Sequence, residues 1–259
     1  MLRPRIIPCL LVKDGGLVKT QKFSEPKYVG DPINAVKIFN EKEADELMVI
    51  DIDATRLRKD PDLKLLQNLA NESRMPLCYG GGVKSVKQAK AVVSMGIEKV
   101  AVSSIAVENP NIISNIAEEI GSQSIVAVLD IKKKTLSSNY DIWTHNGTIN
   151  SKLDPVEFSQ RLQSLGVGEI IINSIDNDGM MKGFDFPIFE KIYSHLTIPM
   201  TIMGGVGSFS DIEQAIQKFE YIGVGVGSFF VFKGKFRAVL INYPTIEERD
   251  QVILKNHHR

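Results

Sequence analysis

The chain has little that would tie it to an oxidising compartment, a nucleic acid or a membrane. Only two cysteines occur in 259 residues, Cys9 and Cys78, both inside apolar segments. Two are too few for a disulfide framework or a thiolate metal centre, so both read as buried thiols. Net charge is missing too: 31 Lys and Arg balance 31 Asp and Glu. That leaves no basic footprint for a phosphodiester backbone, and no nucleic acid partner is expected. The longest apolar runs, residues 6–12 and 124–129, fall far short of the roughly 20 residues that cross a bilayer, so no membrane partner is expected either. The N-terminus is interrupted by Pro8, regains charge at Lys13 and Asp14 and offers no small-residue cleavage site. It reads as a strand, and the chain as cytoplasmic. Four histidines, His145, His195, His257 and His258, lack metal-ligand spacing, and neither a metal nor a cofactor is expected.

What is present is a regular alternation. Short β-branched runs at residues 6–12, 46–51, 76–79, 99–102, 124–130, 169–173, 199–203 and 222–226 predict eight strands. Most are apolar throughout, as in parallel strands covered on both faces. Helix signals fall between them: Asp31-Pro32 and Asp154-Pro155 each place an N-cap before proline, Ser85 and Ser208 cap two more, and Asn109-Pro110 opens a fifth. The pattern predicts an α/β fold, one (β/α)8 barrel spanning residues 1–259, with a divergent C-terminal segment from about residue 233 that Pro244 divides. An open doubly wound sheet is the structural alternative, and it lacks the usual dinucleotide fingerprint after the first strand. Asn146-Gly147 marks a turn in a polar excursion after the fifth strand.

The halves echo each other. Pro76 in MPLCYGGGVKS matches Pro199 in IPMTIMGGVGS, and Glu46 in DELMVIDID matches Glu169 in GEIIINSID, both at an offset of 123 residues. Val102 to Ser104 resembles Val226 to Ser228 one residue further out. Two similar half-barrels explain this better than two domains, because each half alone would leave open sheet edges. Glycine turns follow strands three, seven and eight at Gly80-Gly81-Gly82, Gly204-Gly205 and Gly227-Ser228, all on one end of a barrel. Backbone N–H groups there could cradle an anion, so the pattern predicts two phosphate sites on opposite sides of the mouth. The alternative is that these glycines only permit tight turns.

The segments RIIPCL, VGDP, ADELMVIDIDA, YGGG, GSQSIVAVLD, GEIIINSIDNDG and MGGVGS together resemble the cyclase subunit (HisF family) of imidazole glycerol phosphate synthase, up to about Phe232. The resemblance implies a half-barrel duplication. It also implies a glutaminase partner at the barrel floor that releases ammonia into the interior, and a doubly phosphorylated ribulosyl nucleotide as acceptor at the mouth. For phosphate it implies the set Gly81, Gly82, Ser103, Ser104, Asp178, Gly179, Gly204, Gly205, Gly227 and Ser228. For a charged ammonia gate it implies Arg5, Glu46, Lys99 and Glu169, one at the start of each of an alternating set of strands, and for the glutaminase interface Glu98.

The family's chemistry depends on two aspartates, ending strands one and five. Asp130 stands in the matching VLDIK context, but the family's CLDVK reads CLLVK here, so the strand-one position is Leu11. Ring closure needs a proton removed and a proton delivered, which two facing carboxylates can share; leucine does neither. Ser103, Asn173 and Met203 also stand where asparagine, threonine and serine are usual. The resemblance is greatest to the second copy found in bacterial surface-polysaccharide pathways. That implies a subunit that docks and activates a glutaminase as a heterodimer and conducts ammonia to another acceptor, through an N-acetyl sugar amidotransferase that makes an acetamidino group. One alternative is an authentic histidine-pathway cyclase in which Asp51, Asp53, Asp176 or Asp178 replaces the lost carboxylate; another is a scaffold that only activates a glutaminase.

Overall fold

The computed structural model describes residues 3–254 other than 136 and 220; His257 and His258 lie outside the described residues. Eight parallel strands carry the fold: β1 (Arg5–Lys13), β2 (Leu47–Asp51), β3 (Leu77–Gly80), β4 (Lys99–Val102), β5 (Ile125–Lys133), β6 (Glu169–Ser174), β7 (Met200–Met203) and β8 (Ile222–Val226). Each pairs with its neighbour in chain order, β8 pairs back onto β1, and the β5–β6 ladder from Glu169↔Val126 to Ser174↔Ile131 completes the ring. The barrel is closed, which rules out the open sheet.

Helices α1 (Pro32–Glu41), α2 (Leu63–Glu72), α3 (Val86–Val93), α4 (Ile112–Ile120), α5 (Pro155–Ser164), α6 (Phe186–Tyr193) and α7 (Phe209–Lys218) link successive strands, and α8 (Ile246–Leu254) follows the barrel. None of the helices among the described residues is long and apolar enough to cross a membrane. The layer between strands and helices is one apolar cluster including Leu10, Leu47, Leu66, Val100, Leu129, Ile170, Phe189 and Val224. A second cluster fills the barrel interior: Ile7, Cys9, Met48, Cys78, Ala101, Val126, Val128, Ile171 and Met203. Both thiols are buried and reduced, as expected.

The duplication is visible as matched hydrogen bonds. Leu47 N–H donates to the Pro76 carbonyl at 2.9 Å, and Ile170 N–H donates to the Pro199 carbonyl at 3.1 Å, the same contact in each half. Asp31 caps α1 by accepting from Asn34 N–H, and Asp154 caps α5 by accepting from Val156 and Glu157 N–H. Ser85 and Ser208 cap α3 and α7 likewise, the latter as a reciprocal box with Asp211. A side chain at Gly81 (φ 129°) would meet Asp51 Cβ at 2.7 Å, and one at Gly204 (φ 90°) would meet the Ser174 carbonyl at 2.6 Å. Glycine is needed at both for close approach to the preceding strand.

Two excursions decorate the mouth. The antiparallel pair Gly16–Gln21 and Ser24–Gly30 extends β1, and Tyr140–Thr144 with Ile149–Asn150 extends β5 around the turn at Asn146-Gly147. The C-terminal segment forms a two-stranded pair, Phe232–Lys233 with Ala238–Val239, and then α8. Its Tyr243 hydroxyl donates to the Ile6 carbonyl at 2.8 Å, and Arg249 pairs with Asp45 at 2.6 Å, which clasps the segment to the floor between β1 and β2. Replacing Asp31 or Asp154 by alanine should cost about 1 kcal/mol each, with additive effects in urea unfolding because the two caps are far apart in the fold.

Candidate functional site

Side chains alternate along a strand, so β1 sends Arg5, Ile7, Cys9 and Leu11 up the barrel interior from floor to mouth. At the floor Arg5 meets Glu46 and Glu169 of the other half-barrel positions, the latter at 2.7 Å. Lys99 meets the same two carboxylates at 2.8 and 2.9 Å. Four charges of alternating sign thus form a closed ring of four ion pairs, to which Thr201 adds a hydroxyl donated to Glu169 at 2.6 Å. The members come from β1, the approach to β2, β4 and β6 rather than from strictly alternate strands. Burial pushes Glu169 up, but Arg5 and Lys99 outweigh it and hold the carboxyl below its usual range. Burial pulls Lys99 down, and Glu169 and Glu46 more than reverse this and hold the amine above its usual range.

Above the ring lies one apolar layer, Ile7, Met48, Cys78, Val126 and Ile171. Above that layer a cavity of about 510 Å³ opens at the strand C-termini. It is lined by all ten of the residues expected to hold phosphate, from Gly81, Gly82, Ser103 and Ser104 on one side to Asp178, Gly179, Gly204, Gly205, Gly227 and Ser228 on the other. Leu11 and Asp130 line it too, on β1 and β5, which stand opposite each other in the closed order.

Asp130 faces the cavity yet is enclosed by protein. Enclosure pushes its carboxyl up to about 7; the 2.9 Å hydrogen bond that Asn173 Nδ2 donates to it pulls down, and the Asp178 charge pushes up again. Asp178 is itself raised by burial, against the 2.9 Å bond from the Thr20 hydroxyl and the charge of Lys19. The other carboxylates considered for the Leu11 position are occupied elsewhere. Asp51 accepts from Asp53 and Ala54 N–H, Asp53 pairs with Lys13 and Arg56, and Asp176 accepts from Lys133 N–H. Of the four, Asp178 is the one whose charge acts on Asp130, and both line the cavity.

Lys19 and Thr20 were not anticipated. The strand Gly16–Gln21 turns back over the mouth through Asp14 and Gly15, both at positive φ, and buries Lys19 with 4% of its surface exposed. Its Nζ donates to the Cys9 carbonyl, no carboxylate among the described residues is within ion-pair reach, and burial lowers its pKa. Asp14-Gly15 is a hairpin signal, so the excursion could have been found. Glu98, expected at a glutaminase interface, is exposed and accepts from Leu77 N–H at 2.7 Å, which fixes the start of β3. His145 reaches the cavity rim with Nε2 3.4 Å from Glu108, while His195 sits on an exposed surface. Among the described residues no group of three or more His, Cys, Asp and Glu could hold a metal ion.

A closed (β/α)8 barrel of two similar halves, with a glycine-rimmed mouth and a charged floor, defines the class. Residues 5–237 match the profile of the histidine biosynthesis protein family. A protein of Vibrio vulnificus, provisionally named imidazole glycerol phosphate synthase subunit hisF3, is 52% identical over 253 residues, covering 98% of this chain and 97% of its own. One from Pseudomonas aeruginosa, provisionally named subunit hisF2, is 48% identical over 250 residues, 96% and 99% of the two chains. The imidazole glycerol phosphate synthase subunit HisF of Lactococcus lactis subsp. cremoris is 34% identical over 256 residues, 99% and 95%. The chain belongs to the histidine biosynthesis protein family, and within it to the HisF type.

The floor ring gives a direct prediction. Lys99→Met leaves two carboxylates sharing Arg5 and should cost about 2–3 kcal/mol, less than a fully buried pair because Lys99 is 18% exposed. Glu169 is held low, so its share is present at neutral pH and lost as pH falls below about 4; Lys99 is held high, so its share is lost only above about pH 10. The stability gap between parent and variant should be flat between those limits and shrink outside them, as read by chemical denaturation against pH.

Proposed function

We propose that this chain is the barrel subunit of a glutamine amidotransferase. It docks and activates a glutaminase at its floor as a heterodimer and passes ammonia along its axis to an acceptor, without closing an imidazole ring itself. The observation that carries this reading is Leu11: it faces the cavity across from Asp130, above a complete ring of Arg5, Glu46, Lys99 and Glu169. A floor built to admit a small molecule is thus retained while half of the proton-handling pair is gone. The chain is nearer to the provisionally named imidazole glycerol phosphate synthase subunits, at 48–52% identity, than to the HisF subunits at 33–36%.

At rest the axis is shut twice, by the charged ring and by the single apolar layer above it. A neutral ammonia molecule can cross a layer of Ile, Met, Cys and Val side chains that excludes ions. Its passage requires Lys99 or Arg5 to swing away from the two carboxylates. The mouth keeps a phosphorylated small molecule in place through its two glycine rims. The acceptor is an N-acetyl sugar, whose acetamido group a third protein converts to acetamidino for surface polysaccharide; the sequence resemblance to that second copy supports it.

A second reading is favoured by one observation: Asp178 lines the same cavity as Asp130, its charge pushes the Asp130 carboxyl up, and burial raises its own. Under it the chain is a cyclase whose second carboxyl comes from the β6 loop. Under a third, the barrel only activates the glutaminase.

Conduction is tested in a mixture of the barrel, its glutaminase and the sugar amidotransferase, supplied with glutamine labelled at its amide nitrogen. Lys99→Met, which removes one of the charges that shut the axis, should change label transfer to the acetamidino product by about tenfold while glutamine hydrolysis keeps its rate. Equal transfer by parent and variant would leave the barrel a scaffold.

A further inference from the structure

One polar atom in the mouth has no partner among the described residues. Asn173, 7% exposed, donates from Nδ2 to Asp130 at 2.9 Å, but its own Oδ1 is buried and accepts nothing. A buried acceptor left unsatisfied costs free energy, so its retention calls for a ligand with a donor. Its position narrows the ligand. Glu169, Ile171 and Asn173 form one interior column on β6, with Val126, Val128 and Asp130 beside it on β5. Asn173 therefore stands on the order of 13 Å above the floor carboxylate, counting four residues of strand rise. Between them the column offers only Ile171, within the apolar layer; the Thr201 hydroxyl, in register with Ile171, is donated downward to Glu169 at 2.6 Å. Asn173 and Asp130 are the first side-chain acceptors above that layer on these two strands.

We infer that Asn173 Oδ1 and the Asp130 carboxyl together form a seat for ammonia and ammonium at the head of the axis, a role that rests on the reading of the barrel as an ammonia conduit. The chemistry matches. Ammonium presents only N–H donors, and the seat presents an amide oxygen and a carboxyl that no cation among the described residues bonds. Asp130 titrates near neutrality, so in its protonated form it can hand its proton to arriving ammonia: the O–H bond breaks, an N–H bond forms, and a carboxylate–ammonium pair remains. Ammonia is thereby retained as the cation until the Asp130 carboxylate takes the proton back, which frees the nitrogen lone pair for an acceptor. The groups that face Asp130 do not supply this charge. From the β6 loop comes Asp178, which repels, and from β1 the Cys9 thiol, pushed up to about 11 and neutral; Lys19 lies with Cys9 and Asp178. On the paired hairpin strand Trp143 is uncharged.

The test follows the Asp130 carboxyl by carbon NMR in the full chain, in chloride salts at about 0.1 M and equal ionic strength. A cation that binds the ionised seat lowers the midpoint. Ammonium should move it down by about half a unit or more. Potassium, of similar size but without N–H donors, should move it less, and tetramethylammonium not at all. Asn173→Leu should abolish the ammonium shift. Equal midpoints in all three salts, a potassium shift equal to that of ammonium, or an undiminished ammonium shift in Asn173→Leu would each overturn the seat. Bulk ammonium enters through the open mouth, so this result does not depend on passage along the axis. The seat can fail while the Lys99 experiment succeeds, and the reverse.

Discussion

The strict alternation of side chains along β1, held by parallel neighbours on both sides, determines what each end of this barrel can do. Arg5, Ile7, Cys9 and Leu11 occupy one interior column because β1 pairs with β8 and β2 without a slip. A shift by one residue would send Arg5 into the apolar layer under the helices and bring Ile6, Leu10 and Val12 inside. The closed order of strands then fixes the opposing column, Val126, Val128 and Asp130 on β5. The identity of residue 11 thereby becomes a statement about chemistry: whatever stands there faces Asp130 across the mouth.

The same constraint explains why the floor can carry four charges. Arg5, Glu46, Lys99 and Glu169 converge where each alternates with a second carboxylate or cation, so no charge lacks a partner of opposite sign. Desolvation costs are offset only because the ring is complete. The mouth has the opposite character. Asp130 and Asp178 are both pushed toward neutrality, and among the described residues Lys19 has no ion pair and Asn173 Oδ1 no donor. One end is electrostatically finished; the other is arranged for something to arrive.

Much of this was legible in residues. Asp31-Pro32 and Asp154-Pro155 announce the two caps, strand cores stand where β-branched runs stop at glycine, and the offset between halves reappears as paired hydrogen bonds at Pro76 and Pro199. Helices α2 and α6 were less visible, since Asp62 and Asp185 precede them without the serine, aspartate-proline or asparagine-proline signals that open the other helices between strands. Glu98 shows a local role that residue type did not announce: an exposed acid before one strand accepts from the backbone of the strand beside it. The contacts of Asn173 with Asp130 and of Thr20 with Asp178 join residues 43 and 158 positions apart, and only the closed barrel brings them together.

The central claim is that the mouth, with Leu11 facing Asp130 and Ser103, Asn173 and Met203 around it, no longer closes the ring, while the charged floor is kept. Its most direct test supplies the purified chain with an ammonium salt and the doubly phosphorylated ribulosyl nucleotide, and follows loss of the nucleotide with release of its carboxamide fragment. The account predicts that the nucleotide persists, in the parent chain and in Leu11→Asp alone, because Ser103, Asn173 and Met203 have also reshaped the pocket. Turnover by the parent at the rate of a HisF cyclase assayed beside it would contradict the claim and point to Asp178 as the second carboxyl.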